Sequence, residues 1–203
     1  MLATPANKAF DGSGWIFELK YDGFRVLAMR HGDDAKLLSR RGNDLGACFP
    51  EIIACLRELP DVVLDGELVV LDANGRPQFE RLRRRALLKK ALSVDYAART
   101  EPATVFAFDI LSLRGEDLRT LPLLERKAIV QRVLRASHRV RAVQHVREHG
   151  KRLYDAACQL ELEGIVAKRA SAPYKAGRSS DWIKIRTVHG RHVQDLRSEQ
   201  WYG

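Results

Sequence analysis

Three apolar runs near the N-terminus, 15–20, 24–30 and 35–40, are separated by connections of only three and four residues. A helical crossover between parallel strands takes about a dozen residues, so strands joined this closely can pair only with antiparallel neighbours. WIFELK (15–20) and FRVLAMR (24–30) flank the turn-like Asp22-Gly23, which predicts a hairpin, and AKLLSR (35–40) predicts a third strand. Farther along, VVLDGELVVLD (62–72) is β-branched and runs into the turn Asn74-Gly75, and TVFAFDILSL (104–113), a segment near 140–146, GIVAKR (164–169) and WIKIR (182–186) read as further strands. Helical spacing of apolar residues predicts helices over 47–59, 78–92, 122–135 (after Pro122) and 148–160. The fold class expected is α+β, with two largely antiparallel β-sheets flanked by helices.

The chain has 203 residues, enough for one domain, or at most two small ones, with a core that needs no disulfide or metal staple. No run approaches the ~18–20 apolar residues of a membrane span. The start, MLATPANKAFDGSG, lacks a basic segment followed by an apolar one, so secretion and membrane partners are not expected. Three cysteines cannot all pair; Cys48 and Cys55 read as small core residues in a reducing cytosol. Charge is more informative. Lys and Arg number 35 against 26 Asp and Glu, a formal charge of +9. The segment 119–153 alone holds ten bases and two acids, and RLRRRALLKK (81–90) has six bases and no acid. Such asymmetry points to a polyanionic partner, most often nucleic acid, although solvated helix faces carry charge in the same way.

The stretch ELKYDGFR (18–25) carries the most chemistry. Lys20 ends an apolar strand just before a tight turn, where sites tend to be built. An amine that is partly desolvated among other cations loses its proton more readily and can attack an electrophilic phosphorus or carbonyl. The ordinary alternative is a surface lysine with an apolar stem. Asp65 and Glu67, two apart in an apolar strand, share one face and need a hydroxyl, base or metal partner. Phe106 and Phe108 likewise share a face that suits either a core or a stacked nucleobase. ELEGIVAKR (161–169) brackets a strand with acid and base, and Lys184 and Arg186 put two cations on one strand face, a geometry for phosphate oxygens. HVREH (145–149) matches a short zinc-protease pattern but sits at a strand-to-helix junction in a basic neighbourhood, and we set it aside. There is no P-loop and no GxGxxG.

Taken in order, KYDG, SRRG, DGE, FAFD, EGIVAK and WIKIR resemble the nucleotidyltransferase motifs of the covalent lysyl-AMP superfamily of DNA ligases, RNA ligases and capping enzymes. The chain resembles most the adenylation domain of bacterial end-joining ATP-dependent DNA ligases, from MLATPANKAF at its start to GRSSDWIKIR at its last strand. The resemblance implies a covalent nucleotidyltransferase (ATP-grasp-like) fold with Lys20 as the nucleophile that takes AMP from ATP. It further implies that Glu18 reads the adenine edge and that Arg25 and Arg40 lie near ribose, phosphates or the 5′-phosphate of a nick. Glu67 would contact the ribose hydroxyl, Phe108 would stack on adenine, and Glu163 would associate with Mg²⁺ (or Mn²⁺). Lys168 and Lys184 would contact the α-phosphate, with Arg186 where a second lysine is usual and Arg41 where a smaller residue is commoner. The implied substrate is nicked duplex DNA in repair or recombination, in the bacterial cytosol or nucleoid. An RNA ligase or capping-type transferase, and a DNA-binding remnant without turnover, are the rival readings. The domain is expected over 1–188, with a tail over 189–203 that Trp201 could anchor. Only seventeen residues follow Arg186, too few for the OB-fold that continues full-length ligases. The expectation is a natural one-domain chain aided by a separate DNA-clamping or end-joining protein.

Overall fold

The structure, a computed structural model, describes residues 1–193, so the position of Trp201 lies outside the described residues. In chain order the strands are β1 (Leu2–Ala6), β2 (Trp15–Lys20), β3 (Phe24–His31), β4 (Asp34–Ser39), β5 (Val62–Val70), β6 (Ala103–Leu113), β7 (Glu116–Asp117), β8 (Val140–Ala142), β9 (His145–Arg147), β10 (Gly164–Arg169) and β11 (Arg178–Arg186). The helices are α1 (Pro50–Arg57), α2 (Phe79–Ala86), α3 (Ala91–Thr100), α4 (Leu123–Val133) and α5 (Gly150–Gln159). The chain divides into two compact units, the first of residues 1–21 and 144–203 and the second of residues 22–143.

The first unit is built on a five-stranded sheet of order β1-β11-β10-β2-β9, antiparallel except for β1 beside β11. Strand residues alternate between its faces. Phe17, Ile165, Ala167 and Ile185 turn to one face and pack with Ala157 of α5, with Leu19 and Ile183 at the margin. Glu18, Lys20, Lys168, Lys184 and Arg186 therefore occupy the opposite face, because Gly164 pairs with both Lys20 and Arg186, and Val166 with both Glu18 and Lys184. One apolar face thus fixes which way the polar residues point.

The second unit is a sheet of order β4-β3-β5-β6-β7, with β8 added in parallel to β6. Its core includes Val26, Leu37, Leu56, Leu64, Leu68, Val105 and Ile110. Helices α1, α2 and α4 pack against strands of this sheet. Two cations are part of the interior. Arg126 of α4 forks onto Asp109, Nε to Oδ1 at 2.7 Å and Nη2 to Oδ2 at 2.8 Å, with both side chains fully buried. Lys127 donates to the Val143 carbonyl at 2.7 Å. Leu123, Arg126, Lys127 and Val130 are the buried residues of α4 and fall at helical spacing, so these two bases of the 119–153 cluster are core residues rather than surface charge.

The α+β class and the antiparallel pairing agree with expectation, but several elements differ. β2 and β3 form no hairpin. β2 already has β10 and β9 on its two edges, and β3 has β5 and β4, so neither strand has an edge left for the other. The helix expected over 78–92 is two helices broken at 87–90, where α2 ends and Arg85, fully buried, reaches Glu51, the Cys48 carbonyl and the Glu101 carbonyl. The single strand expected near 140–146 is β8 and β9, which belong to different sheets. β1 and β7 were not anticipated, since neither is apolar or long enough to stand out. Cys55 is buried as expected, whereas Cys48 is partly buried and Cys158 exposed; all three are free thiols.

Candidate active site

Lys20, at the end of β2, is held by a residue 143 positions away: its Nζ lies 2.6 Å from Glu163 Oε2. Arg186 at the end of β11 donates from Nε to the other carboxylate oxygen, Oε1, at 3.2 Å. The carboxylate thus bridges two cations. Its loop is built to hold it. Glu161 closes α5 at φ 54°, and Gly164 opens β10 at φ 152°, in the region that favours glycine. A Cβ at Gly164 would meet the Ile185 carbonyl oxygen at 2.2 Å. Thr187 pins the same loop from β11: its N–H donates to the Glu163 carbonyl at 3.1 Å, and its hydroxyl donates to the Leu162 carbonyl at 2.7 Å.

Beside this cluster, Lys184 is a third cation on the same face. Burial, with Arg186, Lys20 and Arg178 nearby, holds its ammonium below the usual lysine range, and Glu163 opposes the shift. Three cations facing one carboxylate leave a surplus of positive charge that an anion can neutralise.

Lys168, which the motif resemblance assigns to the α-phosphate, meets a carboxylate of the neighbouring strand. Its Nζ lies 2.6 Å from Glu18 Oε2, and both side chains are only 2% exposed. The same ammonium sits 4.0 Å from the centroid of the Trp182 ring. Lys168 is therefore directed at Glu18, a contact that neither motif announces because the partners lie on adjacent strands. Next along β10, Arg169 stacks on Trp15 at 4.7 Å and pairs with Asp181 at 3.4 Å, a structural role at the margin of the sheet.

In the second unit, Arg25 forks onto Asp65, Nε to Oδ1 at 3.0 Å and Nη2 to Oδ2 at 2.6 Å. Its guanidinium lies 5.6 Å from the Phe108 ring centroid. Register pairs Arg25 with Glu67, and Glu67 with Phe106, across β3, β5 and β6. The register shift between Asp65 and Gly66 falls at the half-buried Phe108, which lies between the paired Ala107 and Asp109. Asp65, fully buried, is the partner of Arg25; the sequence showed it as one of two acids on a strand face, and only the fold distinguishes it from the half-buried Glu67. Arg40 and Arg41 are exposed in the turn after β4.

Among the described residues, no three His, Cys, Asp or Glu side chains cluster in a metal-binding arrangement. A divalent ion here would rest on one carboxylate and on oxygens of a bound phosphate, the habit of Mg²⁺ at phosphate-transfer sites. Both Glu163 oxygens are engaged by Lys20 and Arg186, so Glu163 would serve such an ion only as those cations turn to the phosphates.

The family model described as "ATP dependent DNA ligase domain" matches residues 1–186. A probable DNA ligase of Anaeromyxobacter sp. (strain K) is 37% identical over 198 residues, which are 96% of this chain and 38% of that protein. The bifunctional non-homologous end joining protein LigD of Bacillus subtilis is 32% identical, over 90% of this chain and 33% of its own length. Among solved structures, a mycobacterial DNA ligase D complexed with ATP and MES superposes with a TM-score of 0.75 at 29% identity, covering 91% of this chain and 58% of that one. The bacteriophage T7 ATP-dependent DNA ligase in complex with ATP, at 21% identity and a TM-score of 0.63, shares the fold, over 87% of this chain and 63% of that one. The chain spans about 33–38% of the length of these two curated relatives.

Proposed function

The chain belongs to the ATP-dependent DNA ligase domain family, and from that premise we propose that Lys20 takes AMP from ATP and passes it to the 5′-phosphate of a DNA nick. The observation that carries this reading is the Lys20 amine at the rim of a sheet face with Lys184, Arg186 and Glu163 around it. Lys20 Nζ attacks the α-phosphorus; a P–N bond forms as the P–O bond to pyrophosphate breaks. The ammonium loses its proton first, and Glu163 Oε2 at 2.6 Å is the nearest acceptor for it. Negative charge then grows on the non-bridging oxygens and on the leaving pyrophosphate, where Lys184 and, on release from Glu163, Arg186 meet it. Arg186 brings a planar fork rather than a point charge, suited to two phosphate oxygens once it leaves Glu163. Glu163 would hold Mg²⁺ (or Mn²⁺), which would supply further neutralisation of the triphosphate.

Recognition chemistry is available in both units. Glu18 offers an acceptor for the adenine amino group. In the second unit, Phe108 offers a ring for stacking, Glu67 an acceptor for a ribose hydroxyl, and Arg25 and Arg40 cations for phosphate. AMP on the nick then leaves as the 3′-hydroxyl attacks, closing the strand. A DNA-clamping or end-joining protein as partner, and a domain spanning 1–188, belong to the same reading. Intact-mass measurement tests it: the protein incubated with ATP and Mg²⁺ gains one AMP, and Lys20→Ala gains none. Adduct on Lys20→Ala, or adduct with GTP but not ATP, overturns the assignment.

A further inference from the structure

The second unit carries a basic, apolar-tipped edge that the lysine chemistry does not use. Around the connection 87–90, between α2 and α3, Arg84, Lys89 and Lys90 are exposed, with no carboxylate partner among the described residues. Leu92 and Tyr96 stand beside them on α3 at 85% and 66% exposure. Four residues apart on a helix, these two side chains share one face. The edge is rigidly mounted: Leu82, Arg85, Val94 and Ala97 are buried beneath it, and Arg85 ties α2 to the end of α3 through the Glu101 carbonyl at 3.0 Å.

We propose that this edge docks the sugar–phosphate backbone of duplex DNA, an inference that rests on the reading of DNA as the substrate above. The cations take phosphate oxygens, while Leu92 and Tyr96 lie against deoxyribose faces. Charge selects this occupant. Of the six bases in 81–90, Arg85 is buried and Arg81 and Arg83 pair with Glu101 and Glu80, which leaves Arg84, Lys89 and Lys90 to the edge, and a second copy of a chain with a formal charge of +9 would be repelled from it. The apolar side chains are also interspersed with cations rather than contiguous, unlike the core of a protein interface.

The test uses the full chain and a fluorescent, unnicked duplex titrated at several salt concentrations. Replacing Arg84, Lys89 and Lys90 together by Gln is expected to weaken binding about tenfold and to lower the slope of log affinity against log salt by about 2.7, three phosphate contacts' worth. Leu92→Ser with Tyr96→Ser should weaken binding several-fold with the slope unchanged. AMP adduct formation, measured on the same preparations without DNA, should be that of the parent. Unchanged affinity and slope in the triple variant overturns the proposal, as does a serine pair that leaves DNA affinity intact but alters oligomeric state. Absence of adduct on the parent protein sinks the lysyl-AMP reading and leaves the salt slope to decide this one.

Discussion

Replacing Lys168 by Met removes one member of an ion pair whose side chains are each 2% exposed, and takes from Glu18 the ammonium 2.6 Å from its Oε2. Breaking a buried pair from one side costs about 3–5 kcal/mol, because the surviving charge is uncompensated. At roughly 2–4 °C per kcal/mol for a chain of this size, the midpoint should fall by about 6–20 °C. Glu18→Gln in the same protein removes the stranded charge, so the double variant should recover most of the loss. Thermal and urea denaturation of the parent, both single variants and the double variant give the coupling energy directly. The same four proteins separate two roles for Lys168 in chemistry. If it acts by holding Glu18, then once Glu18 is Gln the further change to Met alters the rate of adduct formation by no more than about twofold. If it contacts the α-phosphate, the rate drops further, by about tenfold or more. A double variant no more stable than Lys168→Met, or a large additional rate loss in the Glu18→Gln background, would refute the argument from pairing.

Two other substitutions probe the same sheet. Lys184 has a folded-state pKa below its ordinary value of 10.5, so the folded chain binds fewer protons than the unfolded one between the depressed value and 10.5, and stability rises with pH across that window. Below the window the charged ammonium is a standing destabilisation; Lys184→Met should therefore raise the urea midpoint near neutral pH and flatten the alkaline rise, while slowing adduct formation. Gly150 opens α5 where a Cβ would lie 2.3 Å from both the Phe10 carbonyl oxygen and Phe17 Cε1. Gly150→Ala should cost about 1–3 kcal/mol by overpacking the apolar face behind Glu18 and Lys20, read as a lower urea midpoint with slower adduct formation. A neutral outcome would show that α5 shifts freely against β2.

Much of this protein could be read along the chain. Alternation of period two puts Glu18 with Lys20, and Lys184 with Arg186, on one strand face, and turn residues set the end of β5. The lysine at a strand end and the acid–base bracket of β10 were visible for the same local reason. Which charges meet was not. Lys20 finds Glu163 across 143 residues, Arg25 finds Asp65 across 40, and Arg126 finds Asp109 across 17. The hairpin predicted at Asp22-Gly23 failed because strand edges are claimed by partners far away in sequence, something no local turn signal encodes. Arg85, Arg126 and Lys127 counted toward a basic surface until packing buried them, although the helical spacing of Arg126 and Lys127 with Leu123 and Val130 already marked a core face. Face and turn follow from the backbone's own geometry, residue by residue. Ion-pair partners and burial depend on which surfaces close over each other, and that is decided only when the whole chain has packed.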